Sequence, residues 1–199
     1  MRYLFLFISF CSFSQEVFSP LIPRKEFQPL KIERALKADG NLDEVEWSNA
    51  PSTSLEFQVE PFQGSKASFS SQVKMLYNQQ FLYVAAILRD SVGKNGYRAP
   101  NLKRDYQFVE NDLFGIAIDG FNDKRNAIVL QSNAYGAQRD LLAFDDRQFD
   151  IDWDGLYRVS IIRVDHFCVD VSIKRLIKNN IGRSYITPYV LRYILRIIF

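Results

Sequence analysis

The clearest potential for chemistry lies in the alternate carboxylates of the segment Asp150-Ile151-Asp152-Trp153-Asp154-Gly155. Carboxylates at every second position before a glycine can surround a hard cation such as calcium with oxygen ligands. The twelfth position of this segment is Ile161 instead of a bidentate glutamate, and a strand pattern follows, so an EF-hand is excluded. The segment is therefore interpreted as a solvated acidic turn, and the alternative is a looser calcium site. The candidate calcium ligands are Asp150, Asp152, Asp154 and Asp112.

The same segment also holds an aromatic side chain between its carboxylates. Trp153 lies within the acidic turn, where an exposed indole could stack on the apolar face of a ligand. Tyr97 is a second possible stacking platform, and Arg104 and Asp105 lie near a strand end, where charged groups can bind hydroxyls. We therefore predict Trp153, Tyr97, Arg104 and Asp105 as candidate ligand-binding residues.

Catalytic patterns are absent from the sequence. The one histidine, His166, falls at a predicted hairpin tip, and no second histidine could complete a zinc site. No glycine-rich phosphate loop or nucleophile elbow occurs, and no spacing singles out a carboxylate pair for glycoside hydrolysis. We predict no catalytic residue and no enzyme activity in this chain.

The elements that must position these residues read as short strands. Val73, Met75 and Tyr77 alternate with polar residues, whereas 81–88 is almost continuously apolar, as in a strand buried on both faces. Alternation resumes at 114–118 and 128–132, and 156–164 with 167–173 forms a last hairpin. No helical period is sustained before residue 174. The pattern predicts an all-β fold, an antiparallel β-sandwich.

Charge is unevenly distributed along the 199 residues. The formal net charge is +2, from 25 basic and 23 acidic residues. One basic residue lies in 1–14 and six lie in 174–199, and neither segment holds an acid. The remaining 18 basic and 23 acidic residues give 15–173 a net charge of −5. An acidic folded region disfavours nucleic acid as a partner.

The two ends differ in character from the middle. Residues 1–14 combine Arg2, an apolar run and small residues before Gln15, as in a cleaved secretory signal peptide. This pattern predicts export to the periplasm, outer membrane or exterior. Residues 15–29 hold three prolines and are predicted to be a linker, followed by a domain over 30–173. The basic and apolar tail 174–199 is interpreted as out-of-frame or truncated sequence.

The order of several short motifs resembles the family 9 carbohydrate-binding module. The resemblance covers about residues 30–173, and it is closest to the module-9-like N-terminal domain of large secreted or outer-membrane proteins of Bacteroidetes-type bacteria. The motifs are Asp39-Gly40-x-Leu42-Asp43-Glu44-x-x-Trp47-x-x-Ala50, Pro61-x-x-Gly64, Val73-x-x-Leu76-Tyr77-Asn78, Arg104-Asp105, Asn111-Asp112, Asn133-Ala134-x-Gly136-x-Gln138-x-Asp140 and Asp152-Trp153-Asp154.

The resemblance implies a non-catalytic jelly-roll sandwich that binds a polysaccharide or oligosaccharide, often with structural calcium. It also implies a larger parent protein that acts in carbohydrate catabolism and has a β-barrel attached after this domain. Under this resemblance Trp47 is a packing residue of the opening motif. The resemblance also makes Trp153, Tyr97, Arg104 and Asp105 the sugar-binding candidates. Because residues from Lys174 onward depart from the family pattern, the last strand of the sandwich is predicted to be missing. The alternatives are an assembly domain of an outer-membrane β-barrel protein without sugar binding, and an accessory fragment of an O-glycosyl hydrolase.

Overall fold

The structure is a computed structural model of the 199-residue chain. It describes residues 27–58, 62, 64–89, 91, 96–120, 123, 125–145, 148–163, 167–174 and 196–198, the last two ranges by their backbone only. The predicted signal peptide, residues 15–26 of the predicted linker and His166 lie outside the described residues. No helix in the described part of the chain is long and apolar enough to cross a membrane.

Two β-sheets make up the fold. The first sheet contains, in spatial order, the strands β1, β3, β4, β10 and β9. Strand β2 also pairs with β3, on the same edge as β1. All of its pairings are antiparallel except the parallel contact of β1 with β3. Its strands are β1 (Leu30–Lys31), β2 (Ser52–Phe57), β3 (Lys66–Tyr77), β4 (Phe81–Leu88), β9 (Tyr157–Arg163) and β10 (Phe167–Lys174).

The second sheet is antiparallel throughout and has the order β11-β5-β6-β7-β8. One short helix, α1 (Val45–Asn49), precedes β2, and a 3₁₀ turn (Phe108–Glu110) precedes β5. The strands of the second sheet are β5 (Leu113–Ile118), β6 (Ala127–Asn133), β7 (Gln138–Phe144), β8 (Gln148–Asp150) and β11 (Arg196–Ile198). The predicted all-β sandwich is confirmed.

Strand β4 explains the continuous apolar run in the sequence. Alternate residues of β4 join the main core together with apolar residues of β5 and β6, including Phe114 and Ile116. The intervening residues, Tyr83 and Ala85, join a second cluster that contains Trp47 of α1. Both faces of β4 are therefore buried, and the predicted core position of Trp47 is confirmed by its 1% exposure.

The predicted tail contributes β11 to the second sheet. Residues 196–198 pair antiparallel with residues 115–117 of β5, at the edge opposite β8. The rest of 175–199 lies outside the described residues. The prediction that the last strand of the sandwich is missing stays a prediction.

Asn133 is a buried polar residue that fixes the end of β6. Its Oδ1 accepts hydrogen bonds of 3.0 Å from the backbone N–H groups of Tyr135 and Ala137, which closes the β6–β7 turn. Its Nδ2 donates to the carbonyl of Asn101 at 3.2 Å and to Oδ1 of Asn111 at 3.1 Å. One amide therefore joins the start of β7 to the long segment between β4 and β5.

We predict that Asn133→Ala lowers the free energy of unfolding by about 3 kcal/mol, because it removes four hydrogen bonds and leaves partly buried backbone groups without partners. Urea unfolding followed by circular dichroism measures the change. Asn101→Ala is the matched control: its side chain accepts one exposed hydrogen bond, from the N–H of Lys103, so a loss under about 1 kcal/mol is expected. Equal losses in the two variants would contradict the assigned role of Asn133.

Candidate functional site

The centre of the candidate site is the guanidinium of Arg104, which lies in the segment between β4 and β5. Its Nη2 is 2.5 Å from Oδ1 of Asp140, its Nε donates to Oδ1 of Asp154 at 2.9 Å, and its Nη1 donates to Oε1 of Gln138 at 3.1 Å. Gln138 and Asp140 are two apart on β7 and share one face, whereas Asp154 belongs to the β8–β9 loop. Arg104 thus joins three separate parts of the chain.

Asp140 is the buried partner in this network. Its side chain has no exposed surface, and Oδ2 also accepts a hydrogen bond from the backbone N–H of Gly155. Burial raises the pKa of the Asp140 carboxyl, the Gly155 N–H and Arg104 oppose that rise, and nearby Asp105 and Asp154 add to it. The carboxylate holds both Arg104 and the β8–β9 loop against β7.

Gly155 brings Trp153 close to this carboxylate. A Cβ added at Gly155 would lie 2.8 Å from Cη2 and 2.9 Å from Cζ3 of Trp153, and 3.1 Å from Oδ2 of Asp140. The indole ring therefore packs directly on Gly155, and the Trp153 side chain is half-buried against the main core. Only a residue without a side chain allows the ring to take this position.

Asp105 adopts a left-handed backbone conformation, with φ of 59°. Aspartate and asparagine tolerate this region better than most residues. Its N–H donates to the carbonyl of Gln138 at 3.0 Å, and its carboxylate lies 3.7 Å from Nε of Arg104. The turn therefore presents the Asp105 carboxylate beside the Arg104 network, with 45% of the side chain exposed.

An open cleft of about 360 Å³ lies next to this network. Four of its lining residues are carboxylates and one is an arginine, so the cleft is strongly polar. The lining residues are Asp105, Tyr106, Gln107, Arg139, Asp140, Ile151, Asp152 and Asp154.

Two buried tyrosines differ in their hydrogen bonding: Tyr106, which lines the cleft, and Tyr157 of β9. The Tyr157 hydroxyl is 2.8 Å from the carbonyl oxygen of Gln131 and 3.1 Å from that of Arg139. The Tyr106 side chain is 2% exposed, and its hydroxyl has no hydrogen-bond partner among the described residues. Burial raises the pKa of both hydroxyls above the ordinary tyrosine value.

Three of the four predicted sugar-binding residues come together here. Asp105 lines the cleft, and Arg104 pairs with the lining residues Asp140 and Asp154. The Trp153 ring lies beside Gly155, next to Asp140. Tyr97 does not join them: it is 7% exposed and packs in the main core. Tyr97 is therefore corrected from a stacking platform to a core residue, because its ring fills space between the sheets.

The predicted calcium ligands do not converge. Asp112 accepts a 2.7 Å hydrogen bond from the backbone N–H of Arg98, and Asp150 accepts one of 3.1 Å from the N–H of Asp152. Asp154 pairs with Arg104. In the described ranges, no three carboxylate, histidine or cysteine side chains are grouped so that they could hold a metal ion. The geometry does not support calcium at these residues, and calcium binding stays a prediction.

Sequence reasoning did not assign site roles to Gln138, Asp140, Tyr106 or Arg139. Asp140 and Gln138 have a weak sequence signal, since polar residues at alternate positions of a strand share a face. Tyr106 follows the Arg104-Asp105 pair directly, but nothing in the sequence indicates that its hydroxyl is buried.

We predict that Gly155→Ala displaces the Trp153 ring. The new methyl group would overlap the indole, and we expect a loss of about 1–2 kcal/mol in the free energy of unfolding and a change in tryptophan emission. Trp47 is buried elsewhere and should not contribute to the emission change. The control is Gly155→Ala in a Trp153→Ala background, where the stability loss should fall below about 0.5 kcal/mol; an unchanged loss would contradict the overlap.

We predict that the fold loses stability above about pH 10. Tyrosines of the unfolded chain ionise near their ordinary pKa, whereas the buried hydroxyls of Tyr106 and Tyr157 in the folded chain stay protonated there. Tyr106 and Tyr157 should each contribute a slope of about 1.4 kcal/mol per pH unit there. Urea unfolding at pH 8 to 11 measures it. At neutral pH, Tyr157→Phe should cost about 1 kcal/mol, since it removes hydrogen bonds, whereas Tyr106→Phe should leave the free energy of unfolding unchanged or raise it, since it removes a buried hydroxyl without a partner. Slopes unaffected by either substitution would contradict the prediction.

Comparison with solved structures shows the fold. A Bacteroides uniformis protein is 8% identical to this chain, with 74% of this chain and 72% of that chain covered and a TM-score of 0.52. A family 9 carbohydrate-binding module from Caldicellulosiruptor kristjanssonii in complex with cellotriose is 14% identical, covering 76% and 69%, with a TM-score of 0.47. A module from the same organism in complex with glucose is 14% identical, covering 76% and 71%, with a TM-score of 0.46.

Comparison with curated proteins gives no match. The family model "Carbohydrate family 9 binding domain-like" matches residues 38–163, which is more than half of the chain. The match runs from the opening motif through β9 and includes Arg104, Asp140 and the β8–β9 loop. The chain therefore belongs to the carbohydrate family 9 binding domain-like family.

Proposed function

We propose that this chain binds a polysaccharide or oligosaccharide at the cleft beside Arg104. The observation that carries the proposal is the Arg104–Asp140–Asp154 network next to the half-buried Trp153, in a chain of a carbohydrate-binding family. A sugar needs polar groups for its hydroxyls and an aromatic surface for its apolar face. The cleft supplies the polar groups, and the Trp153 ring lies beside Gly155, next to the lining residue Asp140.

The polar groups of the cleft suit hydroxyl donors. The side chains of Asp105 and Asp154 are 45% and 76% exposed, so their carboxylate oxygens can accept hydrogen bonds from a ligand. Arg104 fixes Asp154 from one side, which reduces the entropy lost when a ligand binds the carboxylate. The site is therefore partly organised before any ligand enters.

Binding without hydrolysis agrees with the position of Asp140. Its pKa is raised, as in a general acid, but its side chain is fully buried. One oxygen contacts Arg104 and the other accepts the Gly155 N–H. A general acid must reach the leaving-group oxygen of its substrate, and both oxygens of this buried carboxyl are already engaged by groups of the protein. Any glycosyl hydrolase activity would belong to an attached domain.

We further propose that the domain acts outside the cytoplasm as part of a larger protein of carbohydrate catabolism. The apolar leader pattern of 1–14 supports export. The family resemblance supports the rest, including a β-barrel attached in the parent protein. Fractionation of cells that express the full chain would test export.

The binding proposal predicts that at least one soluble glycan retards the protein in affinity electrophoresis, and that Trp153→Ala reduces that binding about tenfold or more. Loss of an aromatic stacking surface gives the reduction. Calorimetry against cello-, xylo- and chito-oligosaccharides measures it. The matched control is Phe57→Ala, which removes a 54%-exposed aromatic ring from β2, in the other sheet.

Retardation by no glycan would contradict carbohydrate binding and favour the alternative of an assembly domain without a sugar ligand. Equal losses in Trp153→Ala and Phe57→Ala would place the binding surface away from the cleft. Product release from an oligosaccharide by the purified chain would instead favour the hydrolase alternative.

A further inference from the structure

We propose that the cleft selects glycans of positively charged amino sugars, such as unacetylated glucosamine oligomers, and discriminates against uronic acid glycans. The inference rests on the proposed function, since it names the class of sugar bound at the same site. Two observations support it. Carboxylates outnumber cations at the cleft, and both nearby arginines already bind other groups of the protein.

Carboxylates outnumber cations around the cleft. Asp105, Asp140, Asp152 and Asp154 line it, and the nearby cations are Arg139 in the lining and Arg104 beside it. Four negative and two positive groups leave a net charge of −2 at the site. A ligand ammonium is attracted by such a site and a ligand carboxylate is repelled.

Both guanidinium groups are engaged within the protein. Arg104 binds two carboxylates and Gln138, as described above. Nη1 of Arg139 donates to Oε1 of Gln131 at 2.6 Å, and its guanidinium lies 5.9 Å from the ring centre of Phe108. The carboxylate of a uronic acid could therefore bind one of these arginines only by displacing a contact that the arginine already makes. The net free energy of such an ion pair is correspondingly smaller.

The carboxylates are less fully engaged. The Asp152 side chain is exposed and makes no ion pair among the described residues, and Asp105 lies 3.7 Å from Arg104, beyond hydrogen-bond distance. These two groups can accept hydrogen bonds from a protonated amine. Such charge-assisted hydrogen bonds are about twice as strong as those to a neutral hydroxyl.

Tyr106 gives an independent indication that a polar ligand enters here. It lines the cleft, its side chain is 2% exposed, and its hydroxyl is unpartnered within the described part of the chain. A buried hydroxyl without a partner costs free energy, which a ligand donor or acceptor would recover. A sugar hydroxyl or amine can serve as that partner.

The test compares four tetrasaccharides by calorimetry at mildly acidic pH and low salt: glucosamine, N-acetylglucosamine, glucose (β-1,4) and galacturonate. The glucosamine and glucose oligomers differ mainly at C2, where an ammonium replaces a hydroxyl. We expect the glucosamine oligomer to bind about five- to tenfold more tightly than the glucose oligomer, and the galacturonate oligomer at least fivefold more weakly than the glucose oligomer.

The double variant Asp105→Asn, Asp152→Asn should reduce the ratio of the glucosamine and glucose affinities below about twofold, because it removes two negative charges. The ratio is the measured quantity, since loss of the Asp105 carboxylate also weakens binding of the glucose oligomer. Asparagine keeps the left-handed conformation at residue 105. Asp43→Asn, an exposed acid of the opening motif, is the single-charge control and should leave the preference intact.

Two results would overturn this inference and leave the proposed function standing: equal affinity for the glucosamine and glucose oligomers, or a preference that survives the double variant and therefore reflects overall charge. Absence of binding to every oligosaccharide, including the uncharged ones, would instead contradict the proposed function itself.

Discussion

The site depends on the placement of one buried carboxylate, Asp140. A carboxylate removed from water loses several kilocalories per mole of solvation, and it is retained in a fold only when opposite charge and donors replace that water. Here Arg104 supplies the charge and the Gly155 N–H supplies the second donor. Because those partners come from two loops, satisfying Asp140 also places both loops on the face of β7. The position of Trp153 follows, since its ring lies against Gly155.

Most of the fold could be predicted from the sequence because its strands obey simple periodicities. The continuous apolar run of β4 indicates a strand covered on both faces, and the structure shows one sheet on one side and Trp47 with its neighbours on the other. The parallel pairing of β1 with β3 could not be predicted in this way, because two residues, Leu30 and Lys31, carry no period. The pairing of β11 depends on contacts distant in sequence, which local pattern does not encode.

Only some residues of the candidate site could be predicted from the sequence, and there is a physical reason why the others could not. Residue type pointed to Arg104, Asp105 and Trp153, since few positions combine charge or a large ring with a turn. Residue type alone placed Tyr97 among the sugar candidates, yet a tyrosine can fill a core as readily as it can stack on a ligand, and only the packing decides. Asp140 could not be predicted as a site residue, because its role depends on its burial. A buried carboxylate needs partners, and those of Asp140 lie 36 and 15 residues away in the sequence.

The acidic β8–β9 loop illustrates how the same residues can fit two chemistries. Alternating carboxylates suggest calcium when they are viewed as a linear pattern, but an ion needs their oxygens to converge on one point. In the structure Asp154 turns towards Arg104, and Asp150 accepts a hydrogen bond from the backbone of its own loop. The positive charge that organises the loop is thus a guanidinium, which has a fixed orientation and keeps Asp154 largely exposed. An arginine in this position leaves the Asp154 carboxylate largely exposed, whereas a cation bound at the centre of the loop would draw the carboxylate oxygens inward.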